Sequence, residues 1–132
     1  MTTALQESVL MTELRANGGF TFNPHTSRLV NIGDVTGYAI AIPGTEHVLG
    51  SGDISGAEFD RAFYSVVLAA VLSNDHAFVG GWYSSDRDAY MIELSEIHNV
   101  TRDDAIVLGV ERNQEAILNI GTGEFINLGV SV

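Results

Sequence analysis

The sequence predicts an α+β fold: an antiparallel β-sheet built from hairpins and covered by about three helices, two-layered, in a single domain. Three observations predict it. Alternating apolar and polar segments come in pairs joined by short polar turns, the pattern of antiparallel hairpins. Between the pairs lie stretches whose apolar residues recur at three and four positions, the spacing of a helix. At 132 residues the chain is long enough for one real core and too short for two domains.

Taken in order, residues 3–17 read as a helix with Leu5, Val9 and Leu14 on roughly one face and Asn17-Gly18-Gly19 as its stop. Phe20-Thr21-Phe22 alternates like a strand, Asn23-Pro24-His25-Thr26 turns, and Arg28-Leu29-Val30 returns. Gly33 and Gly37 mark a connection. Tyr38, Ile40 and Ile42 alternate with Ala39 and Ala41 up to Pro43-Gly44, and residues 46–49 are expected to fold back as the hairpin partner. Ser55 and Glu58 make a capping box, and Phe59, Phe63, Val66 and Ala70 place a helix at 56–72. Its second half is apolar nearly all round, which predicts burial on more than one side and leaves a homodimer open.

Residues 77–83 and 90–95 form the next hairpin, with 84–88 as its polar tip. Gly80-Gly81 predicts a bulge or a close backbone approach. Thr101 is expected to cap a helix over 102–113, with Asp103 and Asp104 at the positive end of its dipole. Residues 116–120 and 125–130 complete the sheet around Gly121-Thr122-Gly123.

Composition excludes several functions. Acids number 17 and bases 6, a net charge of −11, and the bases are all arginines: Arg15, Arg28, Arg61, Arg87, Arg102 and Arg112. So few, so evenly spread, they build no basic groove for nucleic acid and no patch for anionic membrane. The absence of lysine removes Schiff-base chemistry, and the absence of cysteine removes disulfides, thiolate metal sites and thiol nucleophiles. A 45% apolar content and a mean hydropathy of +0.17 oppose disorder. Glu7 and Glu13 fall where a signal peptide would be apolar, and the apolar run 62–72, broken by Ser65, is too short to span a bilayer. The expected compartment is the cytoplasm.

Few residues carry chemistry in their spacing. His25, His47, His76 and His98 lack metal-ligand intervals, so no metal is expected. The Gly-rich segment 50–56 fails the phosphate-loop pattern at Ser55, and Asp53, Glu58 and Asp60 would repel an anion there. Asp86 and Asp88 read as a solvated turn, and Glu93 and Glu96 fall on opposite faces of one strand. No nucleophile elbow occurs, and no catalytic residue or cofactor is assigned.

Trp82, with Phe78, Tyr83 and Tyr90, is expected to form an aromatic cluster across a hairpin, either core or facing a ligand. In Glu111-Arg112-Asn113-Gln114-Glu115-Ala116-Ile117, Arg112 suits a helix C-terminus, and Asn113 and Gln114 suit bonds to its last carbonyls. Alternatively, Arg112, Asn113, Gln114 and Glu124 form a polar binding site. With the turn Thr122-Gly123-Glu124, this region (about 98–128) resembles small proteins of actinobacteria, their phages and plasmids. Those proteins end in a helix, an R-x-N-Q-x-A-I-like segment and a T-G-E turn before a last strand. The group has no assigned activity, so the resemblance implies an accessory or mobile-element setting and no chemistry.

The leading expectation is a small, acidic, non-enzymatic protein that docks to another protein, its charge steering it toward a basic partner. One alternative is a small-ligand-binding protein or enzyme with a pocket near Trp82 and Tyr83. The other is a DNA mimic, which needs dense acids on one face; Asp103-Asp104 is the only adjacent acidic pair.

Overall fold

The computed structural model describes residues 4–49, 56–73, 77–85 and 87–129, and side chains from residue 10 onward except that of Asn17. Its elements follow the expected order: α1 (Ala4–Asn17), β1 (Gly19–Asn23), β2 (Arg28–Leu29), β3 (Tyr38–Ala41), β4 (His47–Val48), α2 (Gly56–Ser73), β5 (Ala77–Ser84), β6 (Ala89–His98), α3 (Arg102–Glu111), β7 (Ala116–Asn119) and β8 (Glu124–Asn127). The fold is α+β. One antiparallel sheet runs β2-β1-β5-β6-β3-β7-β8, with β4 also paired to β6. Most of the Gly-rich segment, with the Ser55 cap, residues 74–76, Asp86 and the strand end at Val130 lie outside the described residues, as do the side chains of Leu5 and Val9.

All three helices lie on one face of the sheet. Alternation along each strand decides which side chains meet them. From β1, Phe20 and Phe22 enter the larger core with Val79 of β5 and Ile92 and Leu94 of β6. Helix α1 contributes Leu10 and Leu14, and α2 contributes Phe59, Phe63, Val66 and Ala70. Phe59 and Phe63 stack at 5.6 Å, and Phe22 meets Phe63 edge-on at 5.2 Å. Burying one such ring contributes about 1.5–3 kcal/mol. A second, smaller core joins Ile40, Ala105, Ile117 and Ile126 beneath α3.

The β3–β4 hairpin does not form. Both strands lie antiparallel against β6, with Ala41 opposite Ser95 and His47 opposite Ile92. Pro43 has no N–H for a ladder, so the chain bulges at Pro43-Gly44 and rejoins the same edge. Thr45 repairs the gap: its hydroxyl donates to the Ile42 carbonyl at 2.7 Å and accepts the Leu94 N–H at 3.1 Å.

Helix α2 is buried on one side only. Phe59, Ala62, Phe63, Val66 and Ala70 face the sheet, while Leu68, Val71 and Leu72 are 59%, 51% and 76% exposed. Gly80-Gly81 is not a bulge, because β5 and β6 pair without interruption. Gly81 instead gives room to a neighbour: a Cβ there would lie 2.7 Å from the tip of the Phe20 ring.

Helix α3 is shorter than expected, and its two ends explain its length. Thr101 caps it by accepting the Asp104 N–H at 3.2 Å. At the other end Asn113 is left-handed (φ 54°). Its N–H reaches the Val110 carbonyl at 3.0 Å, and the Gln114 N–H reaches Gly109 at 2.9 Å. That pair of bonds is the C-cap in which a left-handed residue stops the helix.

Candidate functional site

The sheet face away from the helices holds a cavity of about 280 Å³. Small residues make it: Ala39 and Ala41 of β3, Gly80 of β5, Ser95 of β6 and Ala116 of β7 all line it. The sheet curls enough that Gly19 and Thr21 near one edge and Phe125 at the other line the same space.

The connection from β2 to β3 roofs this space. It starts at the β2 edge and must cross to β3, beyond β1, β5 and β6 in sheet order. Val30, Asn31 and Ile32 line the cavity on the way. The strap is held at both ends: Val30 N–H donates to the Thr21 carbonyl at 2.8 Å, and Gly33 N–H to Ile120 at 2.9 Å. At Gly37 (φ 126°) it turns into β3 so closely that a Cβ would lie 2.8 Å from the His98 carbonyl oxygen.

Glu93 is the one buried acid of this cavity. It sits on β6 between Ile92 and Leu94, which face the helices, so alternation aims it the other way. It is only 8% exposed. The Trp82 indole N–H donates to its Oε2 at 2.9 Å. Glu93 lines this space and a smaller one beside it. Burial pushes the Glu93 carboxyl up to about 8; the Trp82 bond and Arg87 oppose this, while Glu46 and Glu115 add to it. At neutral pH the group is mostly protonated and can donate a hydrogen bond as well as accept one.

A smaller cavity of about 170 Å³ adjoins the other side of the Trp82–Glu93 pair, beside the Pro43-Gly44 break. Of the binding residues expected from the sequence, four meet here. Trp82, Arg112, Asn113 and Gln114 all line this smaller space. Each of the last three also has structural work. Arg112 donates to Glu96 Oε1 at 2.9 Å and to the Ala41 carbonyl at 3.4 Å. Asn113 forms the left-handed cap, and the Gln114 amide donates to the Arg112 carbonyl at 3.0 Å. Burial would raise Glu96, but the bonds from Arg112 and His98 outweigh it and hold its carboxyl below the usual range.

Tyr83 and Glu124 do not join them. Tyr83 follows Trp82 and therefore points to the opposite face. There it packs edge-on against Tyr90 at 5.2 Å, and its hydroxyl bonds Asp88, which with partial desolvation raises the phenol. The expected aromatic cluster is thus divided between the two faces. Glu124 lies exposed on β8, held below its usual range by a paired bond from Arg102 at 2.8 Å.

Glu93 is the functional candidate that spacing alone passes over. Its signal is an acid inside the run Tyr90-Met91-Ile92-Glu93-Leu94, opposite a glycine: Gly80 pairs with Glu93, and the missing side chain leaves the cavity its depth.

The chain matches no family model, no curated protein and no solved structure. Among the described residues, no group of three His, Cys, Asp or Glu side chains is placed to hold a metal, and no helix is long and apolar enough to cross a membrane.

Proposed function

We propose that the protein binds a small, largely apolar molecule in the cavity beneath the 30–37 strap. One observation carries this reading: the sheet face bears a space of about 280 Å³, lined by alanines, glycines and aromatic rings, around a single buried carboxyl. Such a combination, apolar walls with few convergent polar groups, is the usual make-up of a ligand site. A core built only for packing fills its space to near-crystal density, because a void forfeits dispersion contacts. The reading is of binding without catalysis, in the cytoplasm. The C-terminal resemblance adds the setting of a phage or plasmid accessory gene.

The test is thermal denaturation with 3-methylindole, a neutral two-ring probe, on the native chain and on Gly80→Leu. A Cβ at Gly80 meets only ordinary contacts, the nearest at 3.6 Å, so a leucine extends into the cavity. The probe is expected to raise the Tm of the native chain, by mass action, and to leave that of the variant unchanged. Equal shifts in both would discard the site, and so would no shift in either.

A second reading follows from α2. Leu68, Val71 and Leu72 are exposed, and residues 64–73 carry no charge in a chain of net charge −11. The occupant that suits this face is a second copy of the chain, because pairing there brings no carboxylates together. Sedimentation is expected to give a dimer that Leu72→Glu converts to monomer. A native chain that is monomeric at high concentration rejects this reading.

A further inference from the structure

We propose that the ligand of the strap-covered cavity is an organic amine, bound as its ammonium ion at Glu93 with an apolar skeleton against Trp82 and Phe125. This rests on the cavity reading above and narrows it to one chemical class.

The lining decides the charge. Its charged residues are both acids, Glu13 from α1 and Glu93 from β6. Arg87 and Arg112 line the smaller space across the Trp82–Glu93 pair instead, and Arg112 is engaged by Glu96. An anionic ligand would therefore be desolvated with no cation in the lining to receive it. A cation instead finds the Glu93 carboxyl, the serine and threonine side chains of Ser95 and Thr21, and the Trp82 indole in the lining. The chain's net charge of −11 draws cations toward every opening of the molecule.

Glu93 is also a costly choice for structure alone. Its protein partner is the Trp82 N–H, and a neutral glutamine would accept that bond without burying an ionisable group. The acid makes sense where a positive ligand completes it.

The size follows from volume. A cavity of about 150 Å³ holds one benzene, so 280 Å³ suits a skeleton of roughly ten to twelve non-hydrogen atoms.

Binding has a proton signature. Before binding, Glu93 is held protonated by burial and by the acids Glu46 and Glu115, against Arg87 and the Trp82 bond. Glu13 faces the same space from α1. When the ammonium ion enters, the Glu93 carboxyl loses its proton to solvent and the two charges pair. The balance is one ammonium ion taken up and one proton released.

The experiment is isothermal titration calorimetry near neutral pH with three probes sharing an indole skeleton: tryptamine, 3-methylindole and indole-3-acetate. Running it in buffers of different ionisation enthalpy counts protons. Tryptamine is expected to bind at least tenfold more tightly than 3-methylindole, about 1.4 kcal/mol, and to release close to one proton. Indole-3-acetate is expected not to bind. Glu93→Gln should lose both the preference and the proton release while still taking 3-methylindole. Should that variant fail to fold, the probe series on the native chain decides alone.

If 3-methylindole binds as tightly as tryptamine, the cavity reading stands and the amine assignment falls. The same holds if tryptamine binds without releasing a proton. If no probe binds, or if Gly80→Leu binds them all unchanged, both fall.

Discussion

At the scale of single residues, Glu93 sets a sign that can be measured. Its folded value of about 8 lies well above the ordinary carboxylate value of 4.5. Between those limits the unfolded chain has given up this proton and the folded chain keeps it. Stability therefore falls as pH rises through that window, by about 1.4 kcal/mol per unit from this group. Groups whose values are lowered, such as Glu96, act with the opposite sign, losing stability only as pH falls below the ordinary carboxylate range. Glu93→Gln keeps an acceptor for Trp82 and removes the titration. Denaturant unfolding from about pH 5 to pH 8 should show a decline in the native chain that the variant lacks. Parallel curves would mean that Glu93 is solvated and ionised. Gly81 offers a purely steric case. Since the Phe20 ring occupies the position of its Cβ, Gly81→Ala should cost about 1–3 kcal/mol by overpacking, whereas Gly80→Ala, with open contacts, should cost less.

At the scale of elements, the end of α3 tests how much of the Arg112-Asn113-Gln114 segment is architecture. Asn113 holds φ at 54°, where a side chain costs energy and asparagine or glycine does not. Asn113→Gly should leave stability near native, and Asn113→Val should lower it by about 1–2 kcal/mol in urea unfolding. Equal losses would point to the amide itself. This segment was legible as a helix end because capping is local chemistry, and so was Thr101. The β3–β4 relation was not legible. Pro43-Gly44 reads identically as a hairpin turn or as a break in one edge, and only the long β6 strand decides between them. The aromatic residues failed for a related reason. Trp82 and Tyr83 are neighbours in sequence, and a strand sends neighbours to opposite faces, so nearness along the chain does not make a cluster. The cavity was invisible because it is built by absence, from alanines and Gly80 on neighbouring strands, and roofed by a connection with no periodicity to announce it.

At the scale of the whole molecule, charge acts on everything at once. The acids exceed the bases by 11, and two of the bases, Arg102 and Arg112, are committed to Glu124 and Glu96. Folding gathers the remaining carboxylates into a smaller volume than the unfolded chain gives them, so their repulsion works against the compact state. Salt weakens that repulsion: the screening length falls from about 30 Å at 0.01 M to about 10 Å at 0.1 M. The exposed Arg102–Glu124 pair weakens too, but such pairs contribute little. Repulsion should therefore win, and sodium chloride raised from about 0.01 M to 0.3 M should increase the Tm by a few degrees near neutral pH. The gain should shrink at about pH 5, close to the sequence pI of 4.4, because the net charge is then small. A Tm that falls with salt would show ion pairs outweighing repulsion. The same field bears on the cavity. If an ammonium ion is what Glu93 receives, salt stabilises the empty fold while slowing the ligand's arrival, so stability and association rate should move in opposite directions along one titration.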